Sequence, residues 1–357
     1  MDKRYLCRIL TPLCLLVLVL SMVACSHEEP YMGTSSENFD ALWKIIDEHY
    51  CYLDEKGIDW EETGRKYREM IQPEMTQPEF FDLLASMLDE LQDGHVNLIS
   101  PFNTSSYKGW WLPYPTDFSY RTLRQYYLDY DYYTTSGMIY KILPSGAAYI
   151  YIPSFSNQIG DTSLDWVLAL LSECPVLILD IRDNGGGLLT DIDTLVGRFI
   201  TEEITGGYIR HKTGPGHNDF SDPYPIVYKP AVRGRIMWDK PILLLTNRSC
   251  FSAANDFTSV MKELPQVTVI GARTGGGGGM PFTSSLPCGW AVRFSACPIT
   301  DARGISIESG IEPDIEVHCT DAGLASGIDA ILDAAISYAS SLASDAGSLK
   351  SEKFTEP

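Results

Sequence analysis

The chain has 357 residues, 45% of them apolar, which is enough for one large domain or two modest ones with a sizeable core. Its 27 basic against 47 acidic residues give a formal net charge of −20. That balance excludes a nucleic-acid backbone as partner, because phosphate binding needs clustered Lys and Arg, and it reads as solubility rather than as function.

Lys3, Arg4 and Arg8 precede an apolar run from Ile9 to Val23, which is short for a membrane span. Met22-Val23-Ala24-Cys25 then leads small residues into a cysteine. This arrangement resembles the lipobox of bacterial lipoproteins. The resemblance implies that residues 1–24 are a signal peptide, that Cys25 carries lipid, and that 25–36 form a polar tether. The plainer alternatives are an ordinary signal peptide or a short anchor helix. The lipoprotein reading places the protein in the cell envelope, lipid-anchored to a membrane, and in a compartment that permits disulfides. Of nine cysteines, Cys288 and Cys297 flank a strand-like stretch and could pair. No CxxC spacing points to zinc.

Residues 37–95 read as a helical subdomain. Phe39, Leu42, Trp43, Ile46 and Tyr50 recur at helical spacing, and Trp60 to Ile71 suggests a second helix. A third opens at Thr76-Gln77-Pro78-Glu79, a capping box with proline in the first turn, and presents Phe80, Leu84, Met87, Leu88 and Leu91. It stops at Asp93-Gly94-His95, where the glycine would let the chain turn and present the imidazole. Residues 96–146 are aromatic and irregular and read as a cap or linker, with short strands that could wall a groove.

From 147 to 342 the pattern becomes α/β. Ala147–Ile152, Val176–Ile181, Pro241–Leu245 and Val267–Ile270 read as strands, the second as one buried on both faces. Helices are expected over Leu164–Ser172, from Gly187 to about Phe199, from about Ser252, and over Leu324–Leu342. The stretch 201–240 reads as excursion loops with one strand, and 283–317 holds two or three β segments. The Ser-, Lys- and Glu-rich tail 343–357 is expected to be disordered.

Three segments join a strand or helix end to glycine and reactive side chains. Asp93-Gly94-His95 is one. Asp180-Ile181-Arg182-Asp183-Asn184-Gly185-Gly186-Gly187 is the second; glycines after a buried strand either turn amides towards an anion or simply make a tight turn. Asn247-Arg248-Ser249-Cys250-Phe251-Ser252-Ala253-Ala254-Asn255 is the third. Ser252 there is either an N-cap or a nucleophile, and a nucleophilic serine needs a histidine to accept its proton.

In this order, and with Gly304-Ile305-Ser306-Ile307-Glu308-Ser309-Gly310-Ile311-Glu312-Pro313-Asp314 further on, the segments resemble the S41 serine peptidases, the tail-specific or C-terminal processing superfamily. The tricorn-like and interphotoreceptor-retinoid-binding-protein-like branch fits best, over residues 37–340. The resemblance implies a ClpP/crotonase-like core of ββα units. It also implies Ser252 as nucleophile, His95 as general base, Glu308 as the carboxylate that orients the imidazole, and an oxyanion hole from the amides of Gly186 or Gly187 and of Ala253. Glu312 and Glu316 compete with Glu308, and Ser249 and Cys250 compete less well with Ser252. Where a Ser-Lys branch would place its lysine, this chain has Gly277, and Lys262 sits on a predicted helix. Asn255 stands where the family usually has an acid, and the 51 residues between His95 and Ala147 are too few for a PDZ insertion. The expected partner is a peptide or unfolded protein, and no metal or organic cofactor is implied. Two alternatives stay open: an inactive relative that binds peptides or apolar ligands, and a crotonase-type acyl-CoA enzyme.

Overall fold

The computed structural model describes residues 33–352. The signal peptide, Cys25 and most of the tether lie outside the described residues. Among them, a seven-stranded sheet and a five-stranded sheet hold the α/β part together.

The large sheet is built from β2 (Tyr133–Thr135), β3 (Met138–Ile142), β4 (Ala148–Tyr151), β5 (Leu177–Asp180), β8 (Ile242–Thr246), β9 (Val267–Gly271) and β12 (Ile315–Glu316). Its order is β12-β9-β8-β5-β4-β3-β2. The strands from β4 to β12 run parallel, and β3 and β2 close one edge as an antiparallel hairpin. Alternation decides the faces. Ile150, Leu177, Leu179, Ile242, Leu244 and Val269 pack against one layer of helices, α4 (Asp161–Leu171), α5 (Leu189–Val196) and α6 (Ala253–Lys262). Tyr149, Ile178, Leu243, Leu245 and Ile270 face the other way, onto Ile331, Leu332 and Ala335 of the final helix. A parallel sheet needs both faces covered, and this one has them.

The region from 321 onward departs from the single helix expected there. It forms α7 (Asp321–Ala325) and α8 (Ala330–Glu352), separated at Gly327, whose φ of +92° breaks the helix. The Asp329 carboxylate then accepts from Leu332 N–H and caps the second helix (3.0 Å). α8 continues past Leu342 into the tail expected to be disordered.

The N-terminal part holds α1 (Ser35–His49), α2 (Trp60–Arg68) and α3 (Gln77–Asp89). Capping boxes at Thr34/Glu37 and Thr76/Glu79 start α1 and α3. These helices do not close a core by themselves. Their apolar faces bury Phe39, Leu42, Leu84 and Leu88 against Leu286, Trp290, Val292 and Phe294. Those partners come from the hairpin β10 (Gly279–Ser285) and β11 (Ala291–Asp301), about two hundred positions later in the chain. β11 also pairs with β1 (Asn97–Ile99) and with β6 (Ile204–Ile209), which pairs with β7 (Tyr224–Tyr228). The excursion 201–240 therefore holds two strands rather than one. All six cysteines among the described residues are free thiols, so Cys288 and Cys297 do not pair. Cys297 lies within β11 with Sγ against His211 Nδ1 (3.4 Å), while Cys288 sits in the hairpin turn.

Candidate active site

The C-terminal ends of β5 and β8, in the middle of the parallel sheet, deliver two of the three reactive segments side by side. The turn after β8 places Ser252 just before α6 with φ +57° and ψ −124°, a region an L-residue enters only under strain, roughly 1–3 kcal/mol. Neighbouring backbone holds it there. Ser252 N–H donates to Gly276 O (2.9 Å) and Phe251 N–H to Asn184 O (3.1 Å). The side chain makes no N-cap hydrogen bond to α6. Its Oγ lies 2.9 Å from His95 Nε2 instead.

The turn after β5 packs directly on this elbow. A Cβ on Gly186 would stand 2.7 Å from Phe251 O and 2.9 Å from Ala253 N, so only glycine lets the two turns meet. Gly186 N–H donates to Asn184 Oδ1 (2.9 Å) and is therefore occupied within its own turn. That corrects the expectation for Gly186 as an anion donor. Gly187 and Ala253 remain as the amides at this junction.

His95 arrives from the end of α3. The left-handed turn there falls on Gln92 (φ +48°), not on Gly94. Gly94 is needed for space, because a Cβ would meet Trp110 Nε1 at 2.5 Å and Phe251 Cζ at 2.9 Å. Buried side chains fix the loop. Asp93 Oδ1 accepts from His95 N–H (2.7 Å), and Asp93 Oδ2 accepts from Tyr50 OH (3.1 Å) and Ser295 OH (2.8 Å). The ring is 3% exposed and packs on Phe251, centroids 4.7 Å apart. Burial pushes the imidazole down to about 4, against the pull of the Asp93 carboxylate. It is thus neutral at pH 7, the form that can accept a proton. Nδ1 is buried without a hydrogen-bond partner, with the Gly279 backbone beside it.

Glu308 does not touch the imidazole. Its Oε1 pairs with Lys56 Nζ (2.8 Å) and its Oε2 accepts from Gly278 N–H (2.9 Å). Lys56 Nζ also donates to Leu91 O and Gln92 O (both 3.3 Å), so one ammonium ties the histidine loop to the Glu308 loop. Burial raises the Glu308 carboxyl to about 8, the nearby Asp93 adds to the rise, and Lys56 opposes both. Lys56 carried no motif; a lysine in the turn between two helices gives no sign of a partner 252 positions away.

Asn255 has a clear local task. Its Oδ1 accepts from Thr274 OH (2.6 Å) and its Nδ2 donates to Ile307 O (3.0 Å), pinning the glycine loop and the Glu308 segment to α6. A carboxylate could not make the second bond. Beside the Ser252–His95 pair opens a cavity of about 520 Å³, lined by Gly94, Trp110, Phe251, Arg248 and Glu308 among others. The aromatic stretch after His95 contributes to this wall from irregular backbone at Tyr107, Trp110 and Tyr114, not from strands. Glu312, Ser249 and Cys250 stand apart from the imidazole. Arg273 pairs with Glu312, and the Cys250 thiol is buried with its pKa pushed far up by burial.

Comparison with known proteins finds matches among peptidases. The profile of Peptidase family S41 matches residues 146–317, and that of the Tricorn protease C1 domain matches residues 35–89. The crystal structure of a candidate peptidase from Parabacteroides merdae is 45% identical, covers 86% of this chain and 97% of its own, and superposes with a TM-score of 0.82. A Carboxy-terminal-processing protease of Bartonella bacilliformis is 28% identical over 142 residues, 40% of this chain and 30% of its own length. The structure of mature CPAF, 13% identical, shares the fold over 83% of this chain and 95% of its own (TM-score 0.63). This chain aligns with only 18–30% of the length of three curated relatives that it matches. By the near-complete match at 45% identity, and by the two profiles, the chain belongs to peptidase family S41.

Proposed function

We propose that the protein is a serine peptidase in which Ser252 attacks the carbonyl of a peptide or unfolded protein substrate. The observation that carries this reading is the 2.9 Å contact between Ser252 Oγ and a buried, neutral His95 Nε2. As Oγ bonds to the carbonyl carbon, its proton passes to Nε2, and the imidazolium later gives that proton to the leaving amine. Water then attacks the acyl-enzyme, with His95 accepting a proton from it and returning one to Ser252. The amides of Gly187 and Ala253 are the donors for the developing oxyanion, each worth about 10²–10³ in rate. The Asp93 carboxylate is the charge that favours the imidazolium, and the Gly279 backbone beside Nδ1 offers an acceptor for its proton.

A fluorophosphonate probe tests this directly. The full chain should become labelled, Ser252→Ala should not, and His95→Ala should label at least a hundredfold more slowly. Labelling that persists in Ser252→Ala, or a folded chain that never labels or cuts peptides, leaves a binding protein instead. We also propose that the chain is held in the cell envelope by lipid on Cys25. Labelled palmitate should enter the full chain in bacteria and not its Cys25→Ala variant; equal incorporation in both removes the anchor.

A further inference from the structure

The cavity beside Ser252 is lined by six charged side chains, and four of them are already matched. Lys56 is paired with Glu308, Arg273 with Glu312 (3.2 Å) and Glu90 with Lys66 (2.7 Å). Arg248 is different. It is half-buried and has no carboxylate partner among the described residues, in a protein whose net charge is −20. Its Nε donates to Trp110 O (2.5 Å) and its Nη1 to Thr274 O (2.9 Å), and its guanidinium lies 4.2 Å over the Tyr114 ring. Those contacts fix the plane of the guanidinium. They leave Nη2 with no hydrogen bond among the described residues. The side chain springs from the same turn as Ser252, and Trp110, to which it donates, stacks on Phe251 with centroids 4.2 Å apart. The exposed Glu55 is the one lining acid without a cation among the described residues.

We infer that Arg248 forms an anion subsite that binds a carboxylate of the peptide substrate alongside the scissile bond. A guanidinium that is oriented, partly desolvated and lacking its own counter-ion is a receptor for carboxylate, since charge-assisted hydrogen bonds to it are about twice as strong as neutral ones. The chemistry does not distinguish the carboxylate at a chain end from that of an Asp or Glu side chain; the experiment does. The inference deepens the peptidase reading by naming a substrate class, but binding can be read without turnover.

The test uses the full chain carrying Ser252→Ala and a fluorophore-labelled, N-acetylated octapeptide of Ala and Leu in three forms. One has a free C-terminus, one a C-terminal amide, and one an amide with a single Glu placed at each position in turn. At least one carboxylate form should bind about tenfold tighter than the all-amide form, and the preference should shrink as salt rises. Preference for the first form assigns the chain end, and for the third an acidic side chain. Adding Arg248→Gln should abolish the preference, and Arg248→Lys should restore part of it, which separates a lost cation from a loosened turn. Equal binding of all forms, no binding of any, or a preference undiminished in Arg248→Gln overturns the subsite. A wild-type chain that shows the preference yet cuts no peptide removes the peptidase reading and leaves the subsite standing.

Discussion

The turn that carries Ser252 is held by backbone, whereas the loop that carries His95 is held by buried side chains. Around Ser252 the contacts are main-chain amides to main-chain carbonyls, two glycine-rich turns in close approach, and a strained φ. Around His95 they are the Asp93 carboxylate with three donors and the Lys56 ammonium with three acceptors. A backbone-held nucleophile loses little when its side chain is cut back. A base held by a polar network loses the network when one member goes.

Asp93→Ala should therefore have the largest effect. It leaves Tyr50 OH, Ser295 OH and His95 N–H without their acceptor in a buried place, each at a cost of about 1–3 kcal/mol. We expect roughly 3–5 kcal/mol of lost stability in urea unfolding, together with loss of activity. Ser252→Ala should abolish activity while changing stability by less than about 1 kcal/mol. Similar urea midpoints for the two variants would break the comparison.

Lys56→Met should act through Glu308. Removing the cation removes the largest cause that lowers the carboxyl and leaves only the Gly278 N–H, so its pKa rises further above about 8. If ionised Glu308 supports the imidazolium, activity in the native chain climbs with pH through that value, and the variant needs a still higher pH. We expect kcat/KM at pH 7 to fall about tenfold to a hundredfold, the alkaline rise to move upward, and Lys56→Arg to recover most of the loss. A uniform drop with no movement of the pH profile would make Lys56 merely structural.

The two regions also differed in how far their sequence disclosed them. The parallel sheet was legible because its strands are continuous apolar runs, and an unbroken run bounded by turn residues places Val176–Ile181 and Pro241–Leu245 in a core. The Ser252 turn was legible as a strand-to-helix junction, although the choice between N-cap and free hydroxyl needed its φ and the imidazole. The His95 side was legible only at Asp93-Gly94-His95. Its supports, Tyr50, Lys56 and Ser295, lie on a helix end, in a turn and within a strand, and nothing local in them encodes a distant partner. The same reason explains why the N-terminal helices read as a separate unit. Their amphipathic stripes announce a buried face but not that Trp290 and Phe294 cover it. Gly94 was read as a turn residue, and its real constraint, the rings of Trp110 and Phe251, is likewise long-range.

The Ser252 side has one carboxyl out of keeping with its backbone economy. Asp256, in the first turn of α6, is part-exposed as a residue, but its Oδ1 is buried without a hydrogen-bond partner, and desolvation raises its carboxyl from 3.8 to about 7. The helix N-terminus favours the anion there, but desolvation outweighs it. The folded chain keeps this proton until about pH 7, whereas the unfolded chain releases it near 3.8. The stability it contributes is thus full below pH 4, is lost as pH rises towards 7, and stays lost above. Asp256→Asn cannot ionise and should escape the loss. We expect it to be more stable than the native chain by about 2 kcal/mol at pH 8, discounting the full shift for relaxation, and by little at pH 4. Thermal unfolding at the two pH values gives the difference. An equal change at both would mean that packing rather than ionisation governs position 256, and the Ser252 side would then be as free of buried charge as its backbone contacts suggest.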